Sequence, residues 1–256
     1  MSSSLRSFCS LLLCAAGMAF AQTQTGTPIP DVETILARMA QARAENRTRL
    51  RPYRVTRDYR LFGKEKQTTK AEIIADLTFV PPDAKRFAIR QAKGMALGES
   101  IVRQMLEHET DIVKNYSNTD LSASNYDFRF VREEDLNGQR SYVLDMRPWR
   151  KDKVLLRGQV WVDATTYQLR RTEGKPGKAP SWWFRDSRIV LIYGNVGGMW
   201  LQTGSESTAN VRFVGQYTML SRDTEYDFGE PGASSWLSSP AAKPVWGLQG
   251  AFEPRQ

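Results

Sequence analysis

Few residues in this 256-residue chain are equipped for catalysis. His108 is the only histidine, and it stands in the run EHE with no HExxH spacing around it. The two cysteines, Cys9 and Cys14, lie in the first twenty-one residues. Zinc sites need three or four Cys, His or carboxylate ligands at defined spacings, and none occur here. A Ser–His–Asp relay would have to use His108, and no motif marks a nucleophile for it. Glu133-Glu134 and Asp223/Glu225 are pairs of carboxylates of the kind any β-rich chain carries, so they give no signal for glycoside hydrolysis. The glycines of GNVGG, 194–198, join two apolar runs and open no helix, which makes them a hairpin turn rather than a phosphate loop. The chemistry points to a protein that is not an enzyme, with no catalytic residues, no metal site and no cofactor.

The amino terminus predicts export. Arg6 precedes the apolar run FCSLLLCAAGMAF, and Ala19-Phe20-Ala21 places small residues where a signal peptidase reads them. The run is too short to span a bilayer, which takes roughly 20 apolar residues. Residues 1–21 are read as a cleaved signal peptide, 22–30 as a polar linker, 31–228 as one domain and 229–256 as a loosely packed tail. Cleavage removes both cysteines, so stability must come from an ordinary core. The formal net charge of +8 falls by one with Arg6. Export argues against nucleic acid, and the basic residues are spread through the chain, so a solvated cationic surface is the expectation.

The elements follow from periodicity. Over 31–46, Val32, Ile35, Leu36, Met39 and Ala42 fall on one helical stripe behind Asp31, which is placed as an N-cap. From Tyr53 the period becomes two, with Tyr53, Val55, Tyr59 and Leu61 on one face and Arg54, Thr56, Asp58 and Arg60 on the other. A second helix is expected where Ile101, Val102, Met105, Leu106, Ile112 and Val113 recur. Strands then resume, with Asn137-Gly138 marking a hairpin. About ten strands and two helices result. Their connections are short, as an antiparallel meander requires. Val160-Trp161-Val162 and Ile189–Tyr193 are apolar on both faces, and such strands need cover on both sides. Trp182, Trp183 and Phe184 form the densest aromatic cluster.

The best-marked stretch is GQVWVDATTYQLRRTEG, 158–174. Gly158, Val160, Trp161, Val162, Asp163, Thr166, Leu169, Arg170, Arg171, Glu173 and Gly174 resemble the most recognisable unit of the LolA/LolB/RseB-like superfamily, bacterial proteins that include those described as outer-membrane lipoprotein-sorting proteins. The resemblance runs from the first helix to about Phe228. It implies a mainly β fold, an unclosed antiparallel β-barrel (a half-barrel) lidded by helices, whose hollow holds acyl chains. It implies a periplasmic monomer that binds lipid or acylated lipoprotein and meets inner- or outer-membrane partner proteins. The alternative within the same superfamily is an envelope stress-sensing or protein-interaction module. Val55, Tyr59 and Leu77 from the first part of the sheet, and Trp161, Leu191 and Tyr193 from the second, are the candidate cavity-lining residues. Trp161 must face opposite to Val160 and Val162, and which face lines the hollow is left open.

Overall fold

The computed structural model describes residues 28–64, 68–114, 119–178, 184–211 and 215–229. The segment read as a signal peptide, most of the 22–30 segment, Trp182, Trp183 and residues 230–256 lie outside the described residues, and nothing is described of the Phe184 side chain. The described residues from Asp31 onward form one compact unit.

Among the described residues, ten strands and two helices appear in the order α1 (Val32–Arg49), β1 (Tyr53–Phe62), β2 (Thr69–Val80), β3 (Ala84–Gly94), α2 (Ala96–Lys114), β4 (Tyr126–Asp135), β5 (Arg140–Pro148), β6 (Leu156–Asp163), β7 (Leu169–Pro176), β8 (Phe184–Val196), β9 (Met199–Val211) and β10 (Gly215–Asp227). Asp31 caps α1 by accepting the Thr34 N–H at 2.6 Å. The helix runs on past residue 46 to Arg49, with Ile35, Met39 and Ala42 buried and Leu36 packed at the margin of the same core.

All ten strands form one antiparallel sheet in the order β3-β2-β1-β10-β9-β8-β7-β6-β5-β4. Two meanders are joined where β1 pairs with β10, and among the described residues β3 and β4 are the edge strands. The sheet is an open half-barrel with helices, mostly β. The edges carry charged residues: Lys85, Arg86, Arg90 and Lys93 on β3, and Arg129, Arg132, Glu133 and Glu134 on β4. Charged side chains and bulges discourage further strand addition, and β4 has its register shift between Phe130 and Arg132.

The turns use the residues the sequence marks. Asn137 and Gly138 have φ of 56° and 79°, the left-handed pair that a two-residue hairpin requires. In the β6–β7 turn, Asp163 Oδ1 accepts from Thr165 N, Thr166 N and Thr166 Oγ1 at 2.8–3.0 Å, while Oδ2 accepts from Arg170 Nη1 at 3.1 Å. Gly158 and Gly174 lie directly opposite one another. A Cβ at Gly158 would stand 2.0 Å from the Glu173 carbonyl oxygen, and one at Gly174 would stand 2.6 Å from that of Arg157. The two strands come together here too closely for any side chain, which is why the hairpin begins and ends on glycine.

Candidate functional site

The registers define one inner face without a break. Gly94, Ala71, Leu61, Met219, Ser207, Ile189, Gly174, Gly158, Met146 and Phe128 oppose one another strand by strand from β3 to β4. A parallel rung runs Ile73, Tyr59, Ser221, Ser205, Leu191, Thr172, Val160, Leu144 and Phe130. Both helices lie on this face. α1 packs Ile35 and Met39 into a core with Tyr126, Tyr142, Leu144, Met146, Val160 and Val162. α2 packs Val102 and Leu106 into a second core with Val55, Tyr59, Leu61, Ile73, Leu77 and Met219.

Neither core contains an inner-face residue of β9. There the floor falls to Ser205, Ser207 and Ala209, all half-buried, flanked by Ile189 and Leu191 on one side and Tyr217 and Met219 on the other. Ser205 and Ser221 bond to each other at 2.7 Å, so their hydroxyls are satisfied within the floor. A strip of small side chains thus separates the two helix-covered halves.

Of the candidate residues, Val55, Tyr59 and Leu77 are fully buried beneath α2. Leu191 is half-buried on the same inner face, at the edge of the α1 core, and Tyr193 follows two residues later on β8. Trp161 is on the opposite, outer face, in a row with Val143 and Arg171. The Arg171 guanidinium lies over its ring, 5.1 Å from the centroid. The outer cover that the doubly apolar strands require is therefore supplied in part by an arginine, whose aliphatic stem shields apolar surface while its charge stays in water.

One charged cluster interrupts the inner face. Arg57 is in phase with Val55 and Tyr59 and is only 4% exposed. It makes a bidentate pair with Asp223 of β10, and its Nη1 donates to Glu109 of α2 at 2.9 Å. Lys85 of β3 reaches the same carboxylate at 2.6 Å, and the Tyr226 hydroxyl donates to Asp223 at 2.6 Å. Burial pushes the Glu109 carboxyl up, but Lys85 and Arg57 outweigh it and hold the group below the usual carboxylate range. Burial likewise drives the Tyr53 hydroxyl up to about 12, so it stays protonated throughout the ordinary pH range. Arg57 is a lone charge on an otherwise apolar strand face, and its partners Glu109 and Asp223 are distant in the sequence. Its phase with Val55 and Tyr59 was the available signal.

A groove of about 470 Å³ lies on the outer face over β5–β8, lined by Asp145, Arg147, Arg157, Glu173, Lys175 and Arg188 among others. A gap of about 230 Å³ lies between α2 and the β5–β6 connection, where the exposed His108 stands with Asp111, Arg150 and Asp152. Among the described residues no three His, Cys, Asp or Glu side chains are grouped to hold a metal ion, and no helix is long and apolar enough to cross a membrane.

The strand order and the placement of both helices on one face define the class: an open antiparallel half-barrel with helices in its hollow. No family model matches the sequence and no curated protein matches it. Solved structures are similar in fold. An outer membrane lipoprotein-sorting protein domain from Vibrio parahaemolyticus shares 15% identity at a TM-score of 0.46, over 78% of this chain and 94% of that one. A LolA superfamily protein from Nitrosomonas europaea shares 10% at 0.37, over 79% and 95%. MucB in the MucA/MucB complex of Pseudomonas aeruginosa shares 12% at 0.25, over 76% and 94%.

Proposed function

We propose that the protein binds and carries acyl chains of lipids or lipoproteins in the periplasm, in the sorting of outer-membrane lipoproteins. The observation that carries this reading is the division of the inner face: two helix-covered apolar cores flank a strip of small side chains on β9 that neither helix fills. Ile189 and Leu191 border this strip on one side and Met219 on the other. The hairpin's resemblance to the LolA/LolB/RseB-like superfamily supplies the class of ligand. Each buried CH₂ is worth about 0.8 kcal/mol, so shape and apolar surface suffice to hold a chain.

Leu191 borders this strip on the inner face, and Tyr193, beyond the β8–β9 register shift, is kept as a candidate at its end. Val55, Tyr59 and Leu77 sit beneath α2 and belong to the core that borders the strip on that side. Trp161 belongs to the outer face and supports the strand from behind. Native mass spectrometry of protein purified from lipid-containing cells without detergent tests the reading. An added mass matching a lipid or acyl chain is expected. A clean apo mass would shift the assignment to a protein-interaction module of the same fold.

A further inference from the structure

The fold gathers basic residues that the sequence scatters. Arg157 of β6 and Lys175 of β7 are directly opposite one another. The pairing of Met146 with Gly158 sets Arg147 of β5 beside Arg157, and that of Gly174 with Ile189 sets Arg188 of β8 beside Lys175. Four cations thus form one rung across four adjacent strands of the outer face, all exposed. Like charges directly opposed across strands are destabilising, so the sheet bears a cost at this rung.

Acidic neighbours offset only its ends. Asp145 accepts from Arg147 at 3.2 Å, and Glu173 is divided between Arg188 at 2.8 Å and Arg171 at 2.6 Å. In the centre, Arg157 has no ion-pair partner among the described residues. Lys175 has only Asp186 at 4.0 Å, with both side chains about two-thirds exposed or more. Beyond Arg147 the chain passes into the β5–β6 connection, which presents Trp149, 65% exposed, and the exposed Lys151 and Lys153.

We propose that this face docks the protein on a bilayer bearing anionic headgroups, with the Arg147–Arg157–Lys175–Arg188 rung on the phosphates and Trp149 at the interface. Three interstrand spacings make the rung about 14 Å wide, too broad for one phosphate and suited to several headgroups side by side. Juxtamembrane basic residues gain from such a surface, and tryptophan is enriched at that depth. The inference extends the carrier reading, because a carrier must meet the membrane it serves, and it leaves the inner face free while docked.

The test is flotation of the full chain with phosphatidylcholine vesicles, with and without phosphatidylglycerol. Binding is expected only with phosphatidylglycerol and is expected to weaken as salt rises. R157Q/K175Q should bind roughly 30-fold more weakly, while K70Q/K93Q, the same charge change near the β3 edge, should bind as wild type does. Equal losses in both variants, or none in R157Q/K175Q, would overturn the proposal. So would polyglutamate or inorganic phosphate competing as well as the vesicles, which would make the rung a site for acidic polypeptide or free anion. Fatty-acid binding, measured on the same proteins, distinguishes failure of docking from failure of the carrier reading.

Discussion

Arg57 of β1 and Glu109 of α2 meet at 2.9 Å inside the molecule, and through them the helix is tied to the centre of the sheet. Asp223, 2% exposed, completes the pairing on the β10 side. A buried pair broken from one side is costly because the other charge is stranded. Arg57→Leu should lower stability by about 3–5 kcal/mol, read from urea midpoints. R57L/D223L should recover part of the loss, since the stranded carboxylate goes with it. An unchanged midpoint for R57L would mean the network contributes nothing.

The same network sets an acid limit. Glu109 titrates below its ordinary value of 4.5 in the folded protein. A depressed folded-state pKa gives stability that is complete above the unfolded value and lost as pH falls through the folded one. Thermal melts should therefore show wild type losing its advantage over Glu109→Gln as pH drops below 4.5. A wild-type-to-variant difference that is constant with pH would show that the Lys85 and Arg57 contacts do not act on this carboxylate.

Gly98 fixes how closely α2 can approach the sheet. A Cβ there would stand 2.4 Å from the Ala71 Cβ and 3.3 Å from Ile73 Cδ1. Gly98→Val should push the helix off β2 and cost about 1–3 kcal/mol. The melting temperature checks it, and a variant as stable as wild type would place α2 farther from the sheet.

Asp163→Ala removes the acceptor of two backbone N–H groups, the Thr166 hydroxyl and Arg170. About 2 kcal/mol should be lost, read from chemical denaturation. Faster amide exchange should be confined to the β6–β7 hairpin. Uniform exchange across the sheet would contradict a local role.

Periodicity made most elements legible. The α1 stripe, the Asp31 cap and the Asn137-Gly138 turn are local features, written in residues that touch one another. The pairing of β1 with β10 was not legible, because Tyr59 and Ser221 carry no mark of each other. Nor was the charged cluster, since Arg57, Glu109 and Asp223 come from three distant segments. The facing of Trp161 could be fixed relative to Val160 and Val162, but assigning it to the outer side required knowing where the helices lie. The cation rung was hidden for the same reason: Arg147, Arg157, Lys175 and Arg188 become neighbours only through strand register.

The proposed carrier function places the ligand on the face shared by α1, α2 and the β9 strip. Leu191 and Ile192 are adjacent on β8 and face opposite ways, inner and outer, and Ile192 is 45% exposed. Titration of a fluorescent fatty acid into Leu191→Gln and Ile192→Gln, beside a melting curve for each, separates the faces within one strand. Binding should weaken roughly tenfold in L191Q and stay unchanged in I192Q. Equal affinity in the two variants, or no binding by the wild-type protein, would contradict it.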